Sequence, residues 1–210
     1  MCIRDSTGST TSVGGSVPNR YFDFSSSVLE GIKTAYAYTG VGGAVTLNPI
    51  NGYELGFRLQ LITESHSTTD RAGFSFITIG SDPTKSLELA FWTDHVWAYN
   101  YTTDFVHGAL DSTWDTTVQH DYLLHVQNGN FTVFADGNSV LTGALQDYTP
   151  SGNAVYTQPN NLIFGDDTTR ASSNFRLSNV TFQPLPEASS ALLLVFGTLV
   201  LSFVCRRRAG

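Results

Sequence analysis

From Tyr53 to Phe182 the chain is written in short runs that alternate apolar and polar residues. In "YELGFRLQLITE", Tyr53, Leu55, Phe57, Leu59 and Leu61 fall on one face, and Glu54, Arg58 and Gln60 on the other. A period of two is the mark of a half-buried strand. "GFSFITIG" and "SLELAFW" follow, separated by "SDPTK", where Pro83 suits the fixed φ of a turn. "HVWAYNY" comes next, after Thr93 and Asp94. "HDYLLHVQ" and "NFTVFAD" flank Asn128-Gly129, the strongest short hairpin signal a sequence offers, and Asp136-Gly137 turns the chain into "SVLTG". "NLIFG" and "NFRLSNVTF" complete the set. No segment between Val17 and Gln183 has a helical period. The pattern predicts about nine to eleven strands, an all-β body over 17–183, and a two-sheet antiparallel sandwich with Greek-key connections.

The alternation stops after Gln183. Pro184 to Glu187 reads as a short stiff spacer, and Ala188 to Cys205 is an 18-residue run without a charge. As a helix it would be about 27 Å long at ~1.5 Å per residue, enough for a bilayer core. Arg206, Arg207 and Arg208 follow at once and would stay on the cytoplasmic side, placing the body outside. A buried C-terminal helix is the competing reading, and the triple-arginine stop argues against it. Pro186-Glu187-Ala188, an apolar helix and a terminal arginine cluster resemble a PEP-CTERM sorting signal over 184–210. That resemblance implies export in a Gram-negative bacterium that makes extracellular polysaccharide. It also implies processing by an exosortase while the helix is transiently in the inner membrane, and delivery of the body to the envelope or matrix. Ala188 departs mildly from the family pattern, where Pro is usual. Residues 1–16 are polar and rich in Gly, Ser and Thr, without the basic start and apolar stretch of an export signal. "MCIRDS" resembles translated adapter sequence, so the lead-in is expected to be a non-native and disordered stub.

Composition narrows the partners. The 210 residues are 41% hydrophobic and 12% aromatic, enough for a core, and the formal charge is −7. Without the three terminal arginines, eight bases face 18 acids, a balance of −10. Such a surface repels nucleic acid and anionic lipid headgroups, and suits neutral polymers, cationic partners or Ca²⁺. The two cysteines, Cys2 and Cys205, lie outside the body, which therefore has neither a disulfide nor a thiolate metal site.

Trp114, His120-Asp121-Tyr122, Asn128-Gly129 and Phe131 to Asp136-Gly137, with the closing "FGDDTTRASSNFRLSNVTF", resemble the laminin-G-like, concanavalin A-like jelly roll. The resemblance spans roughly Tyr53 to Phe182. It implies a fold that hosts lectins, glycanases, lyases and adhesion modules alike, so function has to be read from the site.

Catalytic motifs are sparse. Retaining glucanases of this fold carry carboxylates on one strand, about 5 Å apart, as a nucleophile and an acid. The five glutamates here are Glu30, Glu54, Glu64, Glu88 and Glu187, and none sits in that pattern; after Glu88 the next acid is Asp94. Lysine is limited to Lys33 and Lys85, and no Gly-x-Ser-x-Gly, His-Glu-x-x-His or phosphate loop occurs. The expectation is therefore a protein that is not an enzyme. A tentative sugar site is the aromatic face of "FWTDHVWAYNY". Trp92, His95, Trp97, Tyr99 and Tyr101 would point away from the core and Phe91, Val96 and Ala98 into it, with Asp94 at the turn. Rings stack on sugar C–H faces while polar side chains read hydroxyls. The competing assignment makes these rings packing for the second sheet or its rim. Asp166 and Asp167, in a loop next to Gly165, are tentative ligands for Ca²⁺, and Asp111 or Asp115 could also supply hard oxygens. His95, His107, His120 and His125 lack zinc spacing. The sequence reading is an exported, non-catalytic module that binds or organises extracellular polysaccharide. A structural matrix protein without a ligand, and a divergent glycan-active hydrolase or lyase, are the alternatives.

Overall fold

In the computed structural model, residues 45–186 are described in full, together with the backbone of four earlier strands. The strands in chain order are β1 (Cys2–Ile3), β2 (Thr10–Gly14), β3 (Tyr21–Ser25), β4 (Thr34–Thr39), β5 (Tyr53–His66), β6 (Phe74–Ile79) and β7 (Ser86–Phe91). They continue with β8 (His95–Tyr101), β9 (Phe105–Thr113), β10 (His120–Gln127), β11 (Asn130–Ala135), β12 (Asn138–Ala144), β13 (Asn161–Asp166) and β14 (Ala171–Pro184). One sheet runs β1-β4-β13-β6-β7-β8-β9 and the other β12-β11-β10-β5-β14-β3-β2. Every pairing between these strands is antiparallel. This is the expected all-β jelly-roll sandwich.

The period-two pattern puts the core between the sheets. Tyr53, Leu55, Phe57, Leu59 and Leu61 of β5 meet Phe74 and Phe76 of β6, Leu87, Leu89 and Phe91 of β7, and Tyr122 and Leu124 of β10. Phe57 stacks on both Phe76 and Tyr122, with centroids 4.6 and 5.3 Å away. The hairpin residues Asn128 and Gly129 have φ of 52° and 74°, and Asp136 and Gly137 have 49° and 79°. Both positions of each two-residue turn are thus left-handed, as a type I′ turn demands.

Strand β9 was not expected. Its sequence, "FVHGALDST", does not alternate, because it is a half-exposed edge strand paired only to β8, with a register shift between Trp97 and Tyr99. Strands β1 and β2 fall inside the lead-in expected to be disordered; as sheet edges they pair through backbone, which needs no hydrophobic pattern. The C-terminal helix expected over 188–205, and with it Glu187, Ala188, Arg206, Arg207 and Arg208, lies outside the described residues. Among the described residues no helix is long and apolar enough to cross a membrane.

Residues 145–160 form a strap across the outer face of the first sheet. Ser86 and Gln146 exchange backbone hydrogen bonds of 2.8 Å, and two short 3₁₀ turns follow, Thr149–Ser151 and Ala154–Thr157. The strap lowers Tyr148 and Tyr156 onto Ile77, Ile79, Ala90, Trp97, Tyr99 and Ile163, making a second apolar cluster behind the sheet. Strands β6, β7 and β13 are consequently buried on both faces.

Candidate functional site: a cleft between the strap and the first sheet

The strap leaves a cleft of about 250 Å³ at its edge. Arg71, Glu88, Tyr99, Phe105, Asn153, Tyr156, Asp167 and Arg170 line it, with Thr168 and Thr169. Glu88 reaches it from β7, where period two turns residue 88 away from the core while Leu87 and Leu89 point inward. Asp167 comes from just beyond β13, Tyr99 from β8 and Tyr156 from the second 3₁₀ turn.

Glu88 is 1% exposed. The Tyr156 hydroxyl donates to Glu88 Oε2 at 2.5 Å, and Asp167 shares a hydrogen bond with the same carboxyl. Burial, and then the nearby Asp167, push Glu88 well above the usual carboxylate range. The tyrosines respond to the same field: burial and Glu88 hold Tyr99, Tyr148 and Tyr156 above the ordinary phenol value. All three therefore stay neutral donors. Tyr148 donates to the Tyr99 carbonyl at 2.9 Å and accepts from the Glu88 amide at 3.4 Å, tying strap, β7 and β8 together. Arg71 is held by the carbonyls of Asp70 (2.5 Å) and Phe105 (2.8 Å), and lies 3.5 Å from Asp104.

Of the predicted sugar-site residues, His95, Trp97, Tyr99 and Tyr101 lie along β8 and Trp92 and Asp94 in the turn before it, and the rings do not form an open platform. Trp97 is 0% and Tyr99 2% exposed. Trp97 is closed in by Tyr99, by Trp92, and by His107 stacked at 4.0 Å. Trp92 is half-buried under His66, stacked at 4.4 Å, and its indole N–H donates to the Arg71 carbonyl at 2.8 Å. His95 Nδ1 lies 2.9 Å from Asp111, Asp94 is exposed, and Tyr101 leans on Phe105 at 5.0 Å. Only Tyr99 of that set lines the cleft. Asp166 and Asp167 meet different surroundings. Asp166 is buried, and its Oδ1 accepts from the Thr168 amide at 3.0 Å, whereas Asp167 joins Glu88 at the cleft. Among the described residues no group of three or more His, Cys, Asp or Glu is placed to hold a metal.

The site residue that the sequence reading passed over is Glu88. A search for carboxylates on one strand misses it, because its partner Asp167 lies 79 positions away, just beyond β13. The available signal was a lone acid inside "SLELAFW", an apolar run long enough to be covered on both faces.

The fold is a two-sheet antiparallel jelly-roll sandwich similar to those of solved polysaccharide lyases and of a toxin binding domain. Alginate lyase A1-II', a member of polysaccharide lyase family-7, superposes with a TM-score of 0.50 at 10% identity, over 78% of this chain and 79% of its own. The endo-β-1,4-glucuronan lyase of the fungus Trichoderma reesei gives 0.51 at 11% identity, over 86% and 89%. The binding domain of Paraclostridial Mosquitocidal Protein 1 gives 0.51 at 7% identity, over 94% of this chain and about half (47%) of its own. No protein-family model matches the sequence, and no curated protein does. At these identities the likeness is one of fold. It corrects the expectation that the chain is not an enzyme: the sandwiches it resembles include enzymes that cut polysaccharides, and the one-strand carboxylate motif was too narrow a test.

Proposed function

We propose that this chain is a glycan-active enzyme that cuts a polysaccharide in the cleft beneath the strap. The observation that carries the reading is the Glu88–Asp167 pair at the cleft, with the Tyr156 hydroxyl on Glu88. Breaking a glycosidic linkage needs a group that gives a proton to the leaving oxygen and one that takes a proton elsewhere. Two carboxyls held together share one proton and can do both, and burial holds that proton well above the usual carboxylate range. Phe105 offers ring surface to a sugar, and Arg71, Arg170 and Asn153 offer donors to its oxygens. The cleft is smaller than the roughly 300–1,000 Å³ of drug-sized ligand sites, which suits about one sugar ring at the reacting centre.

The test is release of reducing ends from a panel of neutral and acidic polysaccharides by the purified chain. Asp167→Asn and Glu88→Gln should each lower the rate by ~10²-fold or more, the scale of general acid–base catalysis. Full activity in both variants would remove the pair from the chemistry.

The setting proposed for this activity is the exterior of a Gram-negative cell, reached through exosortase processing of the tail that begins at Pro186. Mass spectrometry of the exported product from a host with an exosortase should find the chain ending near Glu187. A product that retains Arg206 to Arg208 would make the tail a plain membrane anchor.

A further inference from the structure

The outer face of the second sheet, across the sandwich from the cleft, is built in rows that run over the strands. Leu123 of β10 pairs with Phe134 of β11 on one side and with Gly56 of β5 on the other, and Gly56 pairs with Thr181 of β14. Period two turns this row outward, since the flanking Tyr122, Leu124, Val133, Ala135, Leu55 and Phe57 point into the core. A Cβ on Gly56 would fall 2.6 Å from Thr181 Oγ1, so bare backbone and a hydroxyl close the row beyond Leu123.

Polar rows flank it. On one side His125 Nδ1 lies 3.0 Å from Glu54 Oε1. On the other, Arg58 donates twice to Asp121, at 2.7 and 2.8 Å, and Asp136 accepts from the Asp121 amide at 2.9 Å. Between them lies a groove of about 810 Å³, with Leu123 and Phe134 half-buried in its floor and Glu54, His125, Asp121 and Asp136 along its sides. β12 bulges beside it, where pairing shifts from Val133–Leu141 to Phe134–Ser139, so the residue across from the ring is the small, exposed Ser139.

A ligand for this groove must be apolar on one face and carry groups that both give and accept hydrogen bonds. The row crosses four strands and is ~14 Å long at ~4.8 Å between strands, room for more than one sugar ring. Phe134 supplies a ring for sugar C–H faces. Arg58 uses Nε and Nη2 on Asp121 and has Nη1 left to donate, while the carboxylates accept, so a hydroxyl finds both partners. The wall side chains already hold one another, which limits the freedom lost on binding. A peptide strand would need an open sheet edge, and β11, β10 and β5 are each paired on both sides.

We infer that this groove is a second glycan-binding site, holding a stretch of polysaccharide against Phe134 on the face opposite the cleft. That the ligand is a glycan rests on the glycan-cleaving reading above, and the groove itself does no chemistry. A polymer anchored there keeps its other segments near the cleft and raises the local concentration of linkages.

The experiment is affinity electrophoresis of the full chain in gels cast with a neutral or an acidic polysaccharide, where retardation reads binding. Phe134→Leu keeps apolar bulk without the ring and should weaken binding about tenfold, while Phe134→Tyr keeps the ring and should bind like the parent. The same loss should appear when Phe134→Leu is made in an Asp167→Asn background, since the two sites lie on opposite faces. Melting temperatures are measured alongside, and His125→Ala, at the wall, is the second variant expected to weaken retardation should Phe134→Leu not fold. Retardation that neither variant alters would overturn the inference, as would no retardation in any gel. Light scattering that showed Phe134 joining two copies of the chain would overturn it as well. Reducing-end release is measured separately: Phe134-dependent binding without cleavage would overturn the cleaving reading and leave the groove, and cleavage without such binding would do the reverse.

Discussion

Burying a carboxyl that keeps its proton has a consequence for stability that can be worked out from Glu88. In the unfolded chain a glutamate ionises near 4.3–4.5, whereas in the fold the proton is retained to much higher pH. Between those two values the folded state holds one more proton than the unfolded state. Stability is therefore fully present below the unfolded value and falls as pH rises toward the folded one, by about 1.4 kcal/mol per pH unit. The group is fully buried, so solvent screening does not reduce this slope. The charged and titratable groups around it are Asp167, Tyr99, Tyr148, Tyr156 and Arg71, and the tyrosines are held above their ordinary range. Asp167, hydrogen-bonded to the same carboxyl, helps to hold the proton. Glu88→Gln keeps an oxygen to accept from Tyr156 and removes the ionisation. Urea unfolding of parent and variant from about pH 5 to about pH 7 should show the variant gaining on the parent by roughly 1.4 kcal/mol for each unit. A difference that does not change with pH would mean that Glu88 is not held as an acid, and the proton assignment in the cleft would fall with it.

Trp97→Ala should destabilise by about 3–5 kcal/mol in a denaturant titration, as loss of a fully buried ring does, so a variant that melts like the parent would contradict its burial. Gly129→Val should cost about 1–2 kcal/mol purely through backbone strain, since φ is 74° and a Cβ there meets nothing within 4 Å. An unchanged urea midpoint would refute the type I′ turn. Gly73→Ala should cost about 1–3 kcal/mol or more by melting temperature, because its Cβ would fall 2.2 Å from the Ser172 backbone and disturb the Ser173 hydroxyl that donates to the Gly73 carbonyl. A neutral effect would show that β14 can yield there.

The strands of the core were legible because their signal is local. Tyr53 to Leu61 alternate whatever else the chain does, and Asn128-Gly129 needs only its own two φ angles. Strand β9 was not legible, since Gly108 and His107 sit in an edge strand whose pairing comes from the backbone of β8. For "HVWAYNY" the face was right and the exposure wrong. Period two gives the side of a sheet to which Trp97 points, but not what lies over that side, and Tyr148 and Tyr156 arrive from 50 to 60 residues downstream. An aromatic row alone is equally consistent with a sugar platform and with packing, and here the strap decides.

The same strap turns Glu88 from an ordinary outward residue of a strand into a buried acid. On an open sheet face the glutamate would be solvated and ionised. Covered by the strap and placed against Asp167, it keeps a proton at a cost to stability that rises with pH. Leucine would fit the burial pattern of β7 without that cost, as Leu87 and Leu89 do on the other face. Tyr156 explains how the carboxyl is tolerated, because its hydroxyl satisfies one oxygen, but a hydroxyl does not require an acid as its partner. An amide at position 88 would serve the packing as well and would be insensitive to pH. What the carboxyl adds is a proton that can be given and taken back at the wall of a cleft. If position 88 were purely structural, Glu88→Gln would be the more stable chain at neutral pH with nothing lost. If the cleft is where a glycan is cut, the gain in stability and the loss of rate should appear together in that one variant.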